Sequence, residues 1–133
     1  MKRMISLLAC MLTVLLLLPA QTDCNRLFEP IAETIKKADV FAFSEYFAET
    51  VTCNISGEEQ SCSKDQARQI IRKFFAAEGD VRSFTIRHCS GKEQLKYAIG
   101  NLTTAAGAHF RLTMYARIDE GKAKISQLRI EKQ

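Results

Sequence analysis

The residues best suited to acid–base chemistry are one histidine and two tyrosines. His88 lies in an alternating run, on the same predicted buried face as Phe84, while Cys89 takes the opposite face. A histidine beside a tyrosine, here Tyr46 or Tyr97, could transfer protons near neutral pH. The alternative is a partly buried histidine that hydrogen-bonds a backbone carbonyl. Because no Asp or Glu falls mid-strand on the predicted buried face to orient the histidine, we assign no catalytic residue.

Four cysteines follow the N-terminal segment, and an even number of cysteines is typical of disulfide-bonded exported domains. They are Cys24, Cys53, Cys62 and Cys89. No C-x-x-C motif occurs and the histidines are not at ligand spacing, so we predict neither a metal site nor a cofactor. Cys53 and Cys62 flank a turn at Gly57, and we predict a disulfide between them. The pairing of Cys24 and Cys89 stays open, and free buried thiols are the alternative.

Arginines gather on the face of the predicted sheet that points away from the core. By strand parity Arg87, Arg111, Arg117 and Arg129 lie there, with Tyr115 among them. Arginines beside a tyrosine can hold carboxylates, sulfates or an acidic protein surface. We therefore predict a candidate interface at Arg87, Arg111, Tyr115 and Arg117, formed with a second copy of the chain or with an acidic partner. An ordinary solvated sheet face is the alternative.

The first 20 residues have the three parts of a secretory signal. Met1-Lys2-Arg3 is positive, Met4 to Leu18 is mainly apolar, and Pro19-Ala20 precedes polar residues. The apolar run is shorter than the roughly 20 residues of a membrane span. We expect cleavage after Ala20, which leaves residues 21–133 as a single periplasmic or secreted domain. Lipid attachment at Cys10 is a weaker alternative.

The charge balance argues against a nucleic-acid partner. Cleavage removes Lys2 and Arg3, so the 19 basic residues become 17 against 15 acidic ones, a net charge of +2. That excess is too small to indicate nucleic-acid binding. We also predict no membrane span in the mature chain.

Helical periodicity dominates the first half of the mature chain. Apolar residues from Leu27 to Lys37 recur at helical spacing, and Asp39 is a good N-cap for a second helix whose apolar positions reach Phe47. Ser63-Lys64-Asp65-Gln66 has the form of a capping box that opens a third helix. Between the second and third helices, Val51 to Ile55 alternates as a short strand.

Alternation dominates the second half. Gly100 lies inside a predicted strand, where it indicates a bulge or a close backbone approach. Phe110 to Ile118 forms the clearest buried stripe, and the shift from Ile125 to Leu128 predicts another bulge. The predicted fold is α+β: three N-terminal helices with one short strand, packed on a curved antiparallel sheet completed by a four-strand C-terminal meander.

Short motifs along nearly all of the mature chain carry a family resemblance through their order and spacing. They are Ser63-x-x-Gln66-Ala67, Phe74-Phe75, Phe84-x-Ile86-x-His88-x-x-Gly91, Tyr97-x-Ile99-Gly100 and Leu128-Arg129-Ile130-Glu131. The chain resembles the nuclear transport factor 2-like superfamily, a cone-shaped α+β fold also called cystatin-like, and within it an uncharacterised family of small exported proteins from Gram-negative bacteria. The resemblance implies that any site lies between the helices and the concave sheet face, and that the outer face is a frequent meeting place of two subunits.

The predicted cone pocket has mainly aromatic walls, which suit a small apolar ligand. Its lining is Phe43, Tyr46, Phe47, Phe74, Phe84, His88, Tyr97, Phe110 and Met114. We predict an exported, non-catalytic domain that binds a small apolar ligand or a partner protein. The alternatives are a cone-pocket lyase, isomerase or hydrolase that uses His88, and a structural domain that self-associates through its outer face. A deep pocket reaching His88 would favour the first two, and a collapsed core with a paired sheet face would favour the third.

Overall fold

The computed structural model describes residues 21–133, with side chains from Cys24 onward. The predicted signal peptide and Cys10 lie outside these residues. The elements, in chain order, are α1 (Gln21–Lys36), α2 (Val40–Ser44), β1 (Phe47–Ile55), β2 (Glu58–Ser63), α3 (Lys64–Glu78), β3 (Val81–Lys92), β4 (Leu95–Thr104), β5 (His109–Asp119) and β6 (Lys122–Lys132).

The strands form one six-stranded sheet in the order β2-β1-β6-β5-β4-β3. The predicted α+β class and the C-terminal four-strand meander are confirmed. One feature differs from the predicted antiparallel sheet, because β1 pairs with β6 in parallel while the other neighbours are antiparallel. Strand β2 is an addition: its exposed Glu-Glu-Gln-Ser stretch shows no apolar alternation, and the Ser56-Gly57 turn with positive φ at both residues joins it to β1.

At two of the predicted helix starts, a side chain caps the first turn of the helix. Ser63 Oγ accepts a hydrogen bond from the Gln66 N–H at 3.2 Å, and Gln66 Oε1 accepts one from the Ser63 N–H at 2.9 Å. Asp39 Oδ1 accepts from the Ala42 N–H at 3.1 Å. The second helix is shorter than predicted, because Phe47 begins β1, where it pairs with Ile125 and its ring meets Phe43 edge-on.

Helices α1 and α3 cover one face of the sheet and bury the core. Helix α1 contributes Phe28, Ile31 and Ile35, all fully buried. The predicted close approach at Gly100 is confirmed, since a Cβ there would overlap the ring of Phe84 on the neighbouring strand. The predicted bulge in the last strand is also confirmed, by a register shift between β5 and β6.

A second irregularity, in β3, changes which side chains face the core. Ile86 pairs with Gly100 and His88 pairs with Ile99, so Arg87 is an extra residue between two consecutive partners. Beyond this bulge the parity of the strand reverses. His88 is exposed and Cys89 is buried, which makes the predicted orientations of both residues wrong.

The inward turn of Cys89 brings it to Cys24 on α1, and the two form a disulfide with their Cα atoms 5.9 Å apart. The predicted Cys53–Cys62 disulfide is absent, and both of those thiols are free and buried. The register gives the reason: Cys62 lies opposite Val51 while Cys53 lies opposite Gln60, so the two cysteines are offset by two positions instead of facing each other.

Candidate functional site

Most of the side chains predicted to line a cone pocket instead fill the core. Phe43, Phe47, Phe74, Phe84, Phe110 and Met114 are all buried. The Phe74 ring meets Phe110 edge-on, with centroids 5.0 Å apart. The predicted walls are therefore in contact with each other and form a packed interior.

The remaining predicted pocket residues lie at the surface in two separate places. Tyr46 lines a cleft of about 440 Å³ between α1 and the β5–β6 turn, beside Pro30 and Lys122. His88 and Tyr97 lie together on the outer sheet face, where His88 Nε2 is 3.2 Å from the Tyr97 hydroxyl. The structure confirms that His88 and Tyr97 are neighbours but places them away from the core.

The outer face carries a row of rings across three adjacent strands. Tyr97 lies directly opposite Tyr115, with ring centroids 5.8 Å apart, and the His88 ring lies 5.6 Å from that of Tyr97. We call His88, Tyr97 and Tyr115 the aromatic row. Tyr115 is 40% exposed, and Leu95, which is 61% exposed, pairs with Arg117 next to it. Large exposed side chains at mid-sheet are accessible to another molecule.

Arginines flank the aromatic row on both sides. Arg117 and Arg111 are exposed on β5, and Arg129 lies on β6 opposite Thr113. Arg129 forms an ion pair with Glu131, at 3.5 Å from Nη1 to Oε1. Neither Arg111 nor Arg117 has a carboxylate within 4 Å among residues 24–133. These arginines lie on the outer face, and Arg111 and Arg117 form no ion pair with a described carboxylate.

A polar groove of about 400 Å³ lies at the end of the outer face nearest the chain terminus. Its polar lining is Ser83, Thr85, Arg87, Asn101, Thr103, His109 and Gln133, and we refer to these residues as the polar groove. The Thr103 hydroxyl is 3.1 Å from His109 Nδ1. Sequence reasoning missed the groove because its members belong to three strands and to Gln133, which follows β6. The available signal is the polar residue at outward positions 83 and 85 of β3 and 101 and 103 of β4.

Within residues 24–133 the structure brings no three His, Cys, Asp or Glu side chains together in a way that could hold a metal ion. None of the helices in the described part of the chain is long and apolar enough to cross a membrane.

The family assignment rests on a match along most of the chain. Residues 28–131 match the model of a domain of unknown function, DUF4783. The chain belongs to this family. A search of curated proteins gives no match.

Solved structures of the DUF4783 family share the fold. A family member from Bacteroides fragilis is 30% identical, with 78% of this chain and 96% of that chain covered and a TM-score of 0.71. One from Bacteroides uniformis is 26% identical, with coverages of 79% and 95% and a TM-score of 0.73. An NTF2-like protein of unknown function from Silicibacter pomeroyi, 18% identical with coverages of 82% and 92%, has a TM-score of 0.61. This DUF4783 protein therefore has the NTF2-like fold.

Proposed function

We propose that this DUF4783 protein is an exported, non-catalytic binding domain whose outer sheet face docks an acidic partner protein. The observation that carries the proposal is the aromatic row, exposed at mid-sheet between Arg111 and Arg117. Tyrosine and arginine are the residue types that most often dominate the binding energy of protein interfaces. The Cys24–Cys89 disulfide is compatible with an oxidising compartment outside the cytoplasm.

The interior offers less support for a small-ligand function. The side chains that would line a pocket between helices and sheet pack on one another: Phe110 meets Phe74 of α3 edge-on, and Met114 is fully buried. His88, on which the enzyme alternative depends, is exposed on the other side of the sheet. A binding function for the domain therefore has its best support on the outer face.

Charge favours an acidic partner over a second copy of the chain. A two-fold interface brings the same patch face to face. Arg117 lies opposite Lys124 on the neighbouring strand, whereas Arg111 lies opposite Glu131, which forms an ion pair with Arg129. Two such faces would repel each other, because their basic side chains outnumber the acidic side chain of Glu131. An acidic surface would instead be attracted and correctly oriented.

The test is photo-crosslinking in the producing cell, with a photoreactive phenylalanine analogue at Tyr115. The matched control carries the analogue at Arg72, which is exposed on α3 away from the sheet's outer face. We expect one discrete adduct at position 115, absent at 72, that contains a protein of net negative charge. The purified pair should bind more weakly as salt is raised, because exposed charges are screened.

Charge reversal separates the alternatives. Arg111→Glu with Arg117→Glu should abolish the adduct and leave the fold intact, since both side chains are exposed. An adduct that survives both substitutions, or no adduct at all, contradicts the proposal. An adduct that is a dimer of the chain itself, together with dimers in sedimentation at low salt, assigns the face to self-association instead.

A further inference from the structure

We propose that the polar groove binds an acidic sugar, a ligand that carries a carboxylate and several hydroxyl groups. The groove lies beside the aromatic row but is formed by other residues, and the proposal does not depend on a partner protein. Its volume of about 400 Å³ lies within the range of roughly 300–1,000 Å³ that is usual for small-molecule sites.

The register of three strands builds the groove in two rows of side chains. Ser83 lies opposite Thr103, which lies opposite His109. Thr85 lies opposite Asn101 in the next row, and Arg87 stands at the bulge where β3 changes parity. Arg87 follows Ser83 and Thr85 at alternate positions of β3, and all three line the same groove.

The charged side chain that lines the groove is Arg87. Arg87 has no carboxylate within 4 Å in the described part of the chain, and no Asp or Glu lines the groove. Arg111 borders it and donates to Gln133 Oε1 at 3.2 Å, while Glu131, opposite Arg111, forms its ion pair with Arg129. A guanidinium pairs with a carboxylate through charge-assisted, often bidentate hydrogen bonds. The ligand is therefore expected to be an anion.

The rest of the lining argues against a bare anion. A small inorganic anion needs donors alone, whereas the groove also presents acceptors. Asn101 offers an amide oxygen beside its N–H groups, and Ser83 and Thr85 offer hydroxyls that both donate and accept. Acceptors need hydrogen-bond donors on the ligand. Sugar hydroxyls supply donors and acceptors together, so a sugar acid matches both the charge and the mixed lining.

The test is titration of the purified protein with D-glucuronate, followed by NMR chemical shifts of backbone amides. D-glucose is the neutral control with the same ring, acetate supplies the carboxylate alone, and inorganic phosphate is the bare anion. We expect saturable shifts at Thr85, Asn101 and Thr103 with glucuronate at millimolar concentration. Glucose and acetate should each bind roughly tenfold more weakly, because each loses one of the two kinds of contact.

Substitutions locate the site. Arg87→Gln should weaken glucuronate binding roughly tenfold and reduce the preference over glucose. Arg72→Gln, on α3 and away from the outer face, is the matched control and should leave the affinity within about twofold. Both side chains are exposed, so both variants should fold.

Three outcomes would overturn the proposal. Equal binding of phosphate and glucuronate would assign the groove to bare anions. Equal binding of glucose and glucuronate would remove the role of Arg87. The absence of saturable shifts in the groove with glucuronate would exclude this ligand class. None of these results bears on the acidic protein partner, whose test reads a crosslink at Tyr115.

Discussion

Cys24 and Cys89 join the start of helix α1 to the inner face of edge strand β3, with Cα atoms 5.9 Å apart. The bond is possible because the β3 bulge at Arg87 turns Cys89 toward the helix. The same bulge turns His88 out to the aromatic row. One extra residue in one strand thus sets both the covalent link of the domain and the composition of its outer face.

Loss of this disulfide should be the most destabilising change among the cysteines. The bond joins residues 65 positions apart. Closing a loop of that length lowers the conformational entropy of the unfolded chain, which raises its free energy by about 4 kcal/mol. We expect Cys24→Ser to lower the free energy of unfolding by about 2–4 kcal/mol, measured by urea denaturation. A reducing agent should shift the parent midpoint to that of the variant and leave the variant unchanged. Equal midpoints of oxidised and reduced parent protein would show that the bond does not constrain the chain.

The engagement of Cys24 also bears on how the mature chain begins. A cysteine in a disulfide cannot carry a thioether-linked lipid. We expect mature protein from the extracytoplasmic fraction to begin near Gln21 and to have the intact mass of the unlipidated chain. Its mass should rise by that of two hydrogens for each disulfide reduced. A diacylglyceryl adduct at Cys24, or at Cys10 in a longer chain, would contradict this.

The two free thiols should behave as buried, unreactive groups. Burial, with the neighbouring Cys62 as the next cause, raises the pKa of Cys53 to about 12. An unfolded thiol titrates near pH 8.5. A raised folded-state pKa means that the unfolded chain loses its proton first as pH rises, so stability is intact below about pH 8.5 and falls toward pH 12.

The measurement is urea denaturation between pH 8 and 11 on the parent and on Cys53→Ala. Lysines and tyrosines titrate in both proteins, so the difference between the two slopes isolates the thiol. We expect the parent to lose stability more steeply with pH than the variant. At pH 8, iodoacetamide should label Cys53 and Cys62 only after unfolding. Parallel slopes, or rapid labelling of the folded protein, would contradict the buried position.

Local sequence signals predicted the parts of the fold that local physics determines. The capping box at Ser63 and the cap at Asp39 need only residues three positions apart, and both are present. Gly100 was identifiable because a residue without Cβ inside a strand indicates a close approach. The approaching group, the Phe84 ring, comes from another strand and was not identifiable from sequence.

The wrong orientations of His88 and Cys89 have one physical cause. Side-chain direction in a strand was predicted from strict alternation, which holds only while the pairing register is unbroken. The bulge at Arg87 has no marker such as glycine, so the sequence predicts His88 inward and Cys89 outward. The prediction of a Cys53–Cys62 bridge rests on the short loop between the two cysteines. The hairpin register instead places Cys62 opposite Val51, and the polar residues around Cys62 in β2 give no apolar pattern from which that register could be predicted.

The outward position of His88 predicts a small effect of its removal. Its described contacts are the hydrogen bond and ring contact with Tyr97 at the surface. We expect His88→Ala to change the free energy of unfolding by no more than about 0.5 kcal/mol, the usual size for exposed substitutions. Met114→Ala, in the core on β5, should cost about 2–5 kcal/mol and serves as the comparison. Similar losses from both would indicate that His88 is buried in solution.

The packing of Phe84 on Gly100 gives the sharpest test of the core. A methyl group at position 100 would overlap the Phe84 ring atoms Cζ and Cε1, and the backbone carbonyl of Thr85 lies 3.1 Å from the same point. Overpacking of this kind costs about 1–3 kcal/mol, so Gly100→Ala should lower the free energy of unfolding by that amount. Phe84→Leu should also destabilise the domain, because it leaves a cavity beside Gly100. Combining the two substitutions should cost less than the sum of the single losses, since the added methyl group enters the space that the ring vacates. Denaturation of the two single variants and the double variant measures this coupling. Strict additivity would mean that Phe84 and Gly100 do not contact each other, and the close approach of β3 and β4 at this point would then be wrong.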